Sequence, residues 1–167
     1  RDITNDKLRA VQVSEEKKKA DQLLENMLPP SITRRLNNGE IIADYHEHIT
    51  CLFADFCDFD DIVSSHSAES LVQLLNEIIC SFDDLSIKRG VEKIKVIGGC
   101  FFVASGIPDY REDHAEAALL FGLDLLDNIG EYNSLHNTSI QLKIGINCGS
   151  VVAGIIGTTK LLYGIFF

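Results

Sequence analysis

The chain has 167 residues and a formal net charge of −10, with 46% apolar and 24% charged residues. That length suits one domain with a sizeable core and is too short for two full ones, and the balance is that of a globular chain. Residues 51–110 carry ten acids against four bases, so the basic stripe that a nucleic-acid backbone requires is missing and nucleic acid is excluded as a partner.

No stretch reads as a membrane span or a signal peptide. The longest uncharged run, between Lys143 and Lys160, carries four glycines and Asn147 and reads as strand and turn. Any membrane contact is expected only through segments outside this chain. Opening on Arg1 rather than Met, the chain reads as an excerpt of something longer. Its cysteines, Cys51, Cys57, Cys80, Cys100 and Cys148, are odd in number and form no CxxC pair. They are expected to be buried free thiols of a reducing compartment. His46 and His48 alternate on an expected strand, but no nearby cysteine or histidine pair completes a zinc set.

Residues 1–28 hold six bases and six acids. Ala10, Lys17 and Leu24 recur every seven residues, as do Val13, Ala20 and Met27, which predicts a short coiled-coil stem. Pro29-Pro30 is expected to end it, because proline removes a donor and biases its predecessor away from helix. Residues 29–48 read as a polar connector containing Asn37-Asn38-Gly39. Ile49 to Phe53 is a dense apolar run, expected as a buried strand. Leu71, Leu74, Leu75, Ile78, Phe82 and Leu85 mark one face of a long helix. Val91 to Ile97 alternates as a strand, Gly98-Gly99 supplies a tight turn, and Cys100 to Ala104 returns. A second helix is predicted from Asp113 to Ile129, with Ala118, Leu119, Gly122, Leu125, Leu126 and Ile129 inward. Ile140 to Asn147 reads as the last strand.

That order, βαββαβ, predicts an α+β, ferredoxin-like fold with two helices on one face of a four-stranded antiparallel sheet. By simple alternation Lys93 and Lys95 share the uncovered face, and Ile94 and Val96 the covered one.

Three stretches carry candidate chemistry. Ile49-Thr50-Cys51-Leu52-Phe53-Ala54-Asp55-Phe56 puts a carboxylate at the exit of a buried strand, followed by Asp58, Asp60 and Asp61. Such an acid, with a neighbouring backbone carbonyl, offers the oxygen ligands that Mg²⁺ prefers. The EF-hand spacing is not met, since its glycine and closing glutamate are missing. Gly90 to Gly99 is a lysine-bearing strand entering a hairpin. Gly145 to Gly157 is a strand with glycines where backbone approaches backbone, and no lysine follows them as a Walker loop would need.

Together and in this order, the stretches resemble the class III nucleotidyl cyclase homology domain, from about Lys17 to Tyr163. Met27-Leu28-Pro29-Pro30 looks like the stop that precedes such domains, and Phe53-Ala54-Asp55-Phe56 looks like their metal-site strand. Leu74-Leu75-Asn76-Glu77-Ile78-Ile79, Phe82-Asp83-Asp84-Leu85 and Gly90 to Gly98 look closest to the second cytosolic half of membrane adenylyl cyclases. The resemblance assigns residues 49–167 to the domain, C-terminally incomplete after Phe167, with residues 1–28 as its stem. It implies Mg²⁺ or Mn²⁺ as cofactor, ATP as substrate, cyclic AMP and pyrophosphate as products, and a second cyclase homology domain as partner in a homo- or heterodimer.

Carried over residue by residue, the resemblance implies Asp55 and the carbonyl of Phe56 as metal ligands. The second metal aspartate of the family falls at Gly99, which has no side chain to offer. The phosphate loop of the family, glycine-phenylalanine-threonine, falls at Asp58-Phe59-Asp60 and implies Phe59 as a substrate contact. Lys95 matches the purine-selecting position; a lysine only donates, which suits the ring-nitrogen acceptor of adenine. The usual second selector falls at Gly164, just after Tyr163. The catalytic asparagine and arginine of the family have no counterpart within the chain, so the chain alone is expected to be inactive. A non-catalytic regulatory half is the rival expectation, and a guanylate cyclase another. A diguanylate-cyclase-like hairpin at Gly98-Gly99-Cys100-Phe101-Phe102 lacks the acidic pair that its signature requires.

Overall fold

The structure is a computed structural model that describes residues 3–157 and 160–167. Its contacts divide the chain into two units, residues 1–43 with 154–163, and residues 44–153 with 164–167.

In the first unit, α1 (Ile3–Glu25) and α2 (Pro30–Asn37) are separated by a turn. The stem helix therefore stops short of the prolines, and Pro30 begins α2 instead of merely ending α1. Proline is well placed there, because a helix's first N–H groups lack intrahelical acceptors and its fixed φ suits a first turn. The Thr33 hydroxyl donates to the Pro29 carbonyl at 3.3 Å. Val11, Val13 and Leu23 along α1, and Met27 in the turn that follows it, are exposed. The stretch expected as a connector thus holds a helix, and it also holds the start of the first strand. In the same unit the backbone passes very close to Gly154, where a Cβ would stand 2.7 Å from the Ile42 carbonyl oxygen. That oxygen accepts the Ile155 N–H at 3.1 Å, so glycine at 154 is a requirement of strand approach.

The second unit carries β1 (Ala43–Phe56, from its second residue), α3 (Phe59–Ser65), α4 (Ala68–Arg89), β2 (Glu92–Ile97), β3 (Cys100–Ser105), α5 (His114–His136) and most of β4 (Leu142–Ile156). A last strand, β5 (Leu162–Phe166), follows, and the sheet order is β2-β3-β1-β4-β5. Strand β3 runs antiparallel to both β1 and β2, which makes β1-α4-β2 a split βαβ unit with β3 between its strands. The expected α+β, ferredoxin-like core is present, with β5 and the short α3 added to it.

The helix-covered side of the sheet is built by Leu52, Ala54 and Phe56 of β1 and by Phe101 and Val103 of β3. They pack with Ile78 and Phe82 of α4 and with Phe121 and Leu125 of α5. Phe82 meets Phe101 edge to face at 5.4 Å, a favoured aromatic geometry. On α5 the inward residues are Ala117, Ala118, Phe121, Gly122, Leu125 and Ile129. Leu119 and Leu126, expected inward, are exposed, because the buried stripe is narrower than the apolar residues available to it. The free thiols also divide: Cys51 is buried, whereas Cys80 and Cys148 are exposed. No helix among the described residues is long and apolar enough to cross a membrane.

Candidate active site

Strand β1 delivers its last residues to a cleft of about 490 Å³ lined by Asp55, Phe56, Asp58, Phe59, Asp60, Asp61, Gly99 and Lys143. Asp55 is exposed and stands opposite Cys100 in the β1–β3 register. Burial pushes the Cys100 thiol up, and the neighbouring Asp55 charge pushes it the same way. Phe56 is buried, and its N–H donates to the Gly99 carbonyl at 2.9 Å, tying the strand exit to the β2–β3 hairpin. One residue on, the Cys57 N–H donates to the Gln141 carbonyl at 2.9 Å. The chain then turns through Asp58, in the left-handed region at φ 52° and ψ 41°, and Phe59 opens α3. The acidic residues expected in a loop therefore sit at the start of a helix, where carboxylates favour the positive end of the backbone dipoles.

Asp55, Phe56, Phe59 and Gly99 are thus brought together, as their motif positions anticipate. Lys143 joins them without having been singled out in the sequence. It alternates with Leu142 and Ile144, which pack on the core, and that alternation was the available signal. The amide of Asn133 fixes the approach to it. Its Nδ2 donates to the Ile140 carbonyl at 2.8 Å and its Oδ1 accepts the Ile140 N–H at 2.9 Å, so the end of α5 is clamped to the segment entering β4.

Four carboxylates face one ammonium in this cleft, yet they do not form a metal cage. Among the described residues no three His, Cys, Asp or Glu side chains gather as a metal site. Of the four, Asp55 is the one that lies on a strand, and Gly99, next to its cross-strand partner Cys100, has no side chain. Two divalent ions need more anionic oxygens than that, so this chain's own residues do not fit a two-metal site.

Lys95 does not line the cleft. It lies on β2, half-buried and opposite Phe102, whose ring stacks on Phe53 at 4.3 Å. Lys93 lies opposite Val103, and the register shifts between the two lysines. Val103 and Phe102 point to opposite faces, so Lys93 and Lys95 do too. The expectation that they share a face is overturned by this bulge, which spends an extra residue on β2 and breaks the alternation. Lys93 turns to the helix side, where its Nζ donates to Asp83 of α4 at 2.7 Å. Lys95 keeps the uncovered side. That side is less polar than the alternation suggested, since it includes Phe53 and Ile97, both exposed. Tyr163 and Gly164 are buried in β5.

The model of the adenylate and guanylate cyclase catalytic domain matches residues 41–167. The chain belongs to this family. An adenylate cyclase of Mycobacterium tuberculosis (strain ATCC 25618 / H37Rv) is 37% identical over 164 residues, covering 96% of this chain and 37% of the relative. A receptor-type guanylate cyclase of Caenorhabditis elegans, gcy-28, is 35% identical over 154 residues, 90% of this chain and 12% of that protein. This cyclase domain therefore spans well under half the length of these relatives. Among solved structures, the catalytic core of a rhodopsin-guanylyl cyclase with converted specificity, in complex with ATPαS, superposes with a TM-score of 0.71 at 30% identity. It covers 75% of this chain and 68% of its own.

Proposed function

We propose that this cyclase domain works in a pair that converts ATP to cyclic AMP and pyrophosphate, and that it supplies the purine-binding side. The observation that carries the reading is Lys95, held half-buried on the uncovered sheet face beside the stacked Phe53 and Phe102. Its ammonium can only donate, adenine offers a ring-nitrogen acceptor, and guanine offers a donor at the same place. The mycobacterial relative bearing the name adenylate cyclase supports the same substrate. In the reaction the ribose 3′-oxygen bonds to the α-phosphorus and gives up its proton. The bond to the β-phosphate oxygen breaks, and pyrophosphate leaves with the electron pair. The partner is a second cyclase homology domain that carries the carboxylates Gly99 cannot supply, and Mg²⁺ or Mn²⁺ belongs with them. The free thiols and the nucleoside triphosphate are those of the cytoplasm.

The test pairs this domain with a metal-competent cyclase domain and measures turnover of ATP and GTP. Lys95→Glu is expected to reduce the ATP-to-GTP ratio by roughly tenfold to a hundredfold, the effect of a buried donor mismatch of about 1–3 kcal/mol. An unchanged ratio would remove the adenylate assignment and leave the family. A wild-type preference for GTP would instead favour the guanylate reading; Gly164 leaves the second selector position without a side chain and so adds nothing to the choice of adenine.

A further inference from the structure

We infer that Cys148 is a covalent-modification site, a thiol activated by His114 through Thr50 and reactive toward small disulfides. Thr50 of β1 is fully buried, and its hydroxyl oxygen lies 2.7 Å from Nδ1 of His114 and 3.0 Å from Sγ of Cys148. Cys148 itself is exposed on β4, and His114 is half-buried at the start of α5. Three elements therefore converge on one hydroxyl. It sits five residues before Asp55 on β1, roughly 17 Å along an extended strand, so the cluster is separate from the acidic cleft.

A hydroxyl has one proton and two lone pairs, so two arrangements satisfy both contacts. In one, the Cys148 thiol donates to Thr50 and the Thr50 hydroxyl donates to an unprotonated Nδ1. In the other, Nδ1–H donates to Thr50 and the Thr50 hydroxyl donates to a Cys148 thiolate. Passing from the first to the second moves two protons one step each and leaves the thiol proton on the imidazole. Thr50 keeps one lone pair free in either case. Ser105 stands directly opposite it on β3, fully buried, and its Oγ has no hydrogen-bond partner among the described residues. Opposed residues share a face, which makes Ser105 the donor placed to fill that lone pair. A donor there polarises the Thr50 hydroxyl toward the sulfur and favours the thiolate. Next to His114, the Asp113 carboxyl is held low chiefly by the Arg111 guanidinium and also by the charge of His114, which favours the imidazolium in return. The Tyr110 ring lies 6.4 Å from that of His114.

The neighbouring thiols are disfavoured. Burial pushes Cys51 up to about 11, and charge on Cys148 pushes it the same way. Cys80 is exposed, but its Sγ meets Asn76 at 3.8 Å rather than a base. In the reaction the Cys148 thiolate attacks one sulfur of a disulfide RSSR. The bond from Cys148 to that sulfur forms, the original S–S bond breaks, and RS⁻ leaves with the electron pair. The leaving thiolate takes up the proton held on His114, so one RSH is released and the small disulfide is the oxidant.

The test incubates the chain with oxidised glutathione near neutral pH and reads the rate of mixed-disulfide formation at each cysteine by peptide mass mapping. Cys148 should react about tenfold faster than Cys80, and Thr50→Val or His114→Gln should bring it down to the Cys80 rate. Thr50→Ser keeps the hydroxyl and should keep the fast rate. Cys51 reports on folding in each variant, because it is reached only when the sheet opens. A wild-type Cys148 no faster than Cys80 would overturn the inference. So would a Cys148 rate that Thr50→Val and His114→Gln leave unchanged while Cys51 stays unreactive, or a Thr50→Ser rate as low as that of Thr50→Val. The unaltered chain gives a second check that no misfolded variant can obscure. Its two exposed thiols should converge in rate at about pH 10, where both ionise unaided, and a ratio constant with pH would overturn the relay.

Discussion

Glu92 gives this domain a stability that depends on pH in a direction opposite to that of most carboxylates. It heads β2 opposite Ala104, and burial pushes its carboxyl up to about 7 from an ordinary 4.5. The adjacent Lys93 does not offset this, because its ammonium is turned away to Asp83. The folded state therefore prefers protonated Glu92. Its penalty is absent below the unfolded value, grows between 4.5 and about 7, and is complete above that. The displacement corresponds to about 3 kcal/mol at full ionisation, as an upper figure. For a chain of this size that is roughly 6–12 °C in melting temperature. Glu92→Gln keeps the shape and removes the charge. The variant should match the wild type near the unfolded pKa and melt higher by that amount in mildly alkaline buffer, with scanning calorimetry across the range as the assay. A difference between the two proteins that stays constant with pH would refute the reasoning.

Phe82→Ala should destabilise the fold by about 3–5 kcal/mol, because Phe82 is fully buried and its ring meets those of Phe56 at 6.4 Å and Phe101 at 5.4 Å. A urea-unfolding loss under about 1 kcal/mol would contradict that packing. The purified chain, assayed without a partner, should make no cyclic AMP or cyclic GMP from ATP or GTP with Mn²⁺, because Gly99 leaves it a single strand-end carboxylate. Product above a buffer blank would show that Asp55 and its neighbours suffice.

The sequence by itself determined the order of the βαββαβ core elements and the family, but not α2, α3 or β5. Strands and helices announce themselves through local periods, and the apolar run at Ile49 to Phe53, the helical face from Leu71 to Leu85 and the Gly98-Gly99 turn all fall in elements or turns of the kind they predicted. The family was legible because Phe53-Ala54-Asp55-Phe56, the hairpin and the Gly145 to Gly157 strand occur in one order at fitting separations. The missing side chain at 99 was likewise visible as a letter.

Tertiary structure alone decided what surrounds those letters. A bulge on β2 sends Lys93 to Asp83 and leaves Lys95 on the other face, and no period-2 reading of six residues reveals where an extra residue is spent. Lys143 reaches the acidic cleft because β4 is brought beside β1 from far along the chain. Leu119 and Leu126 look inward by period but stay exposed, since the width of the covered stripe is set by what packs against α5. Contacts between residues far apart in the chain exist only once packing has brought them together, and that is information no local pattern carries.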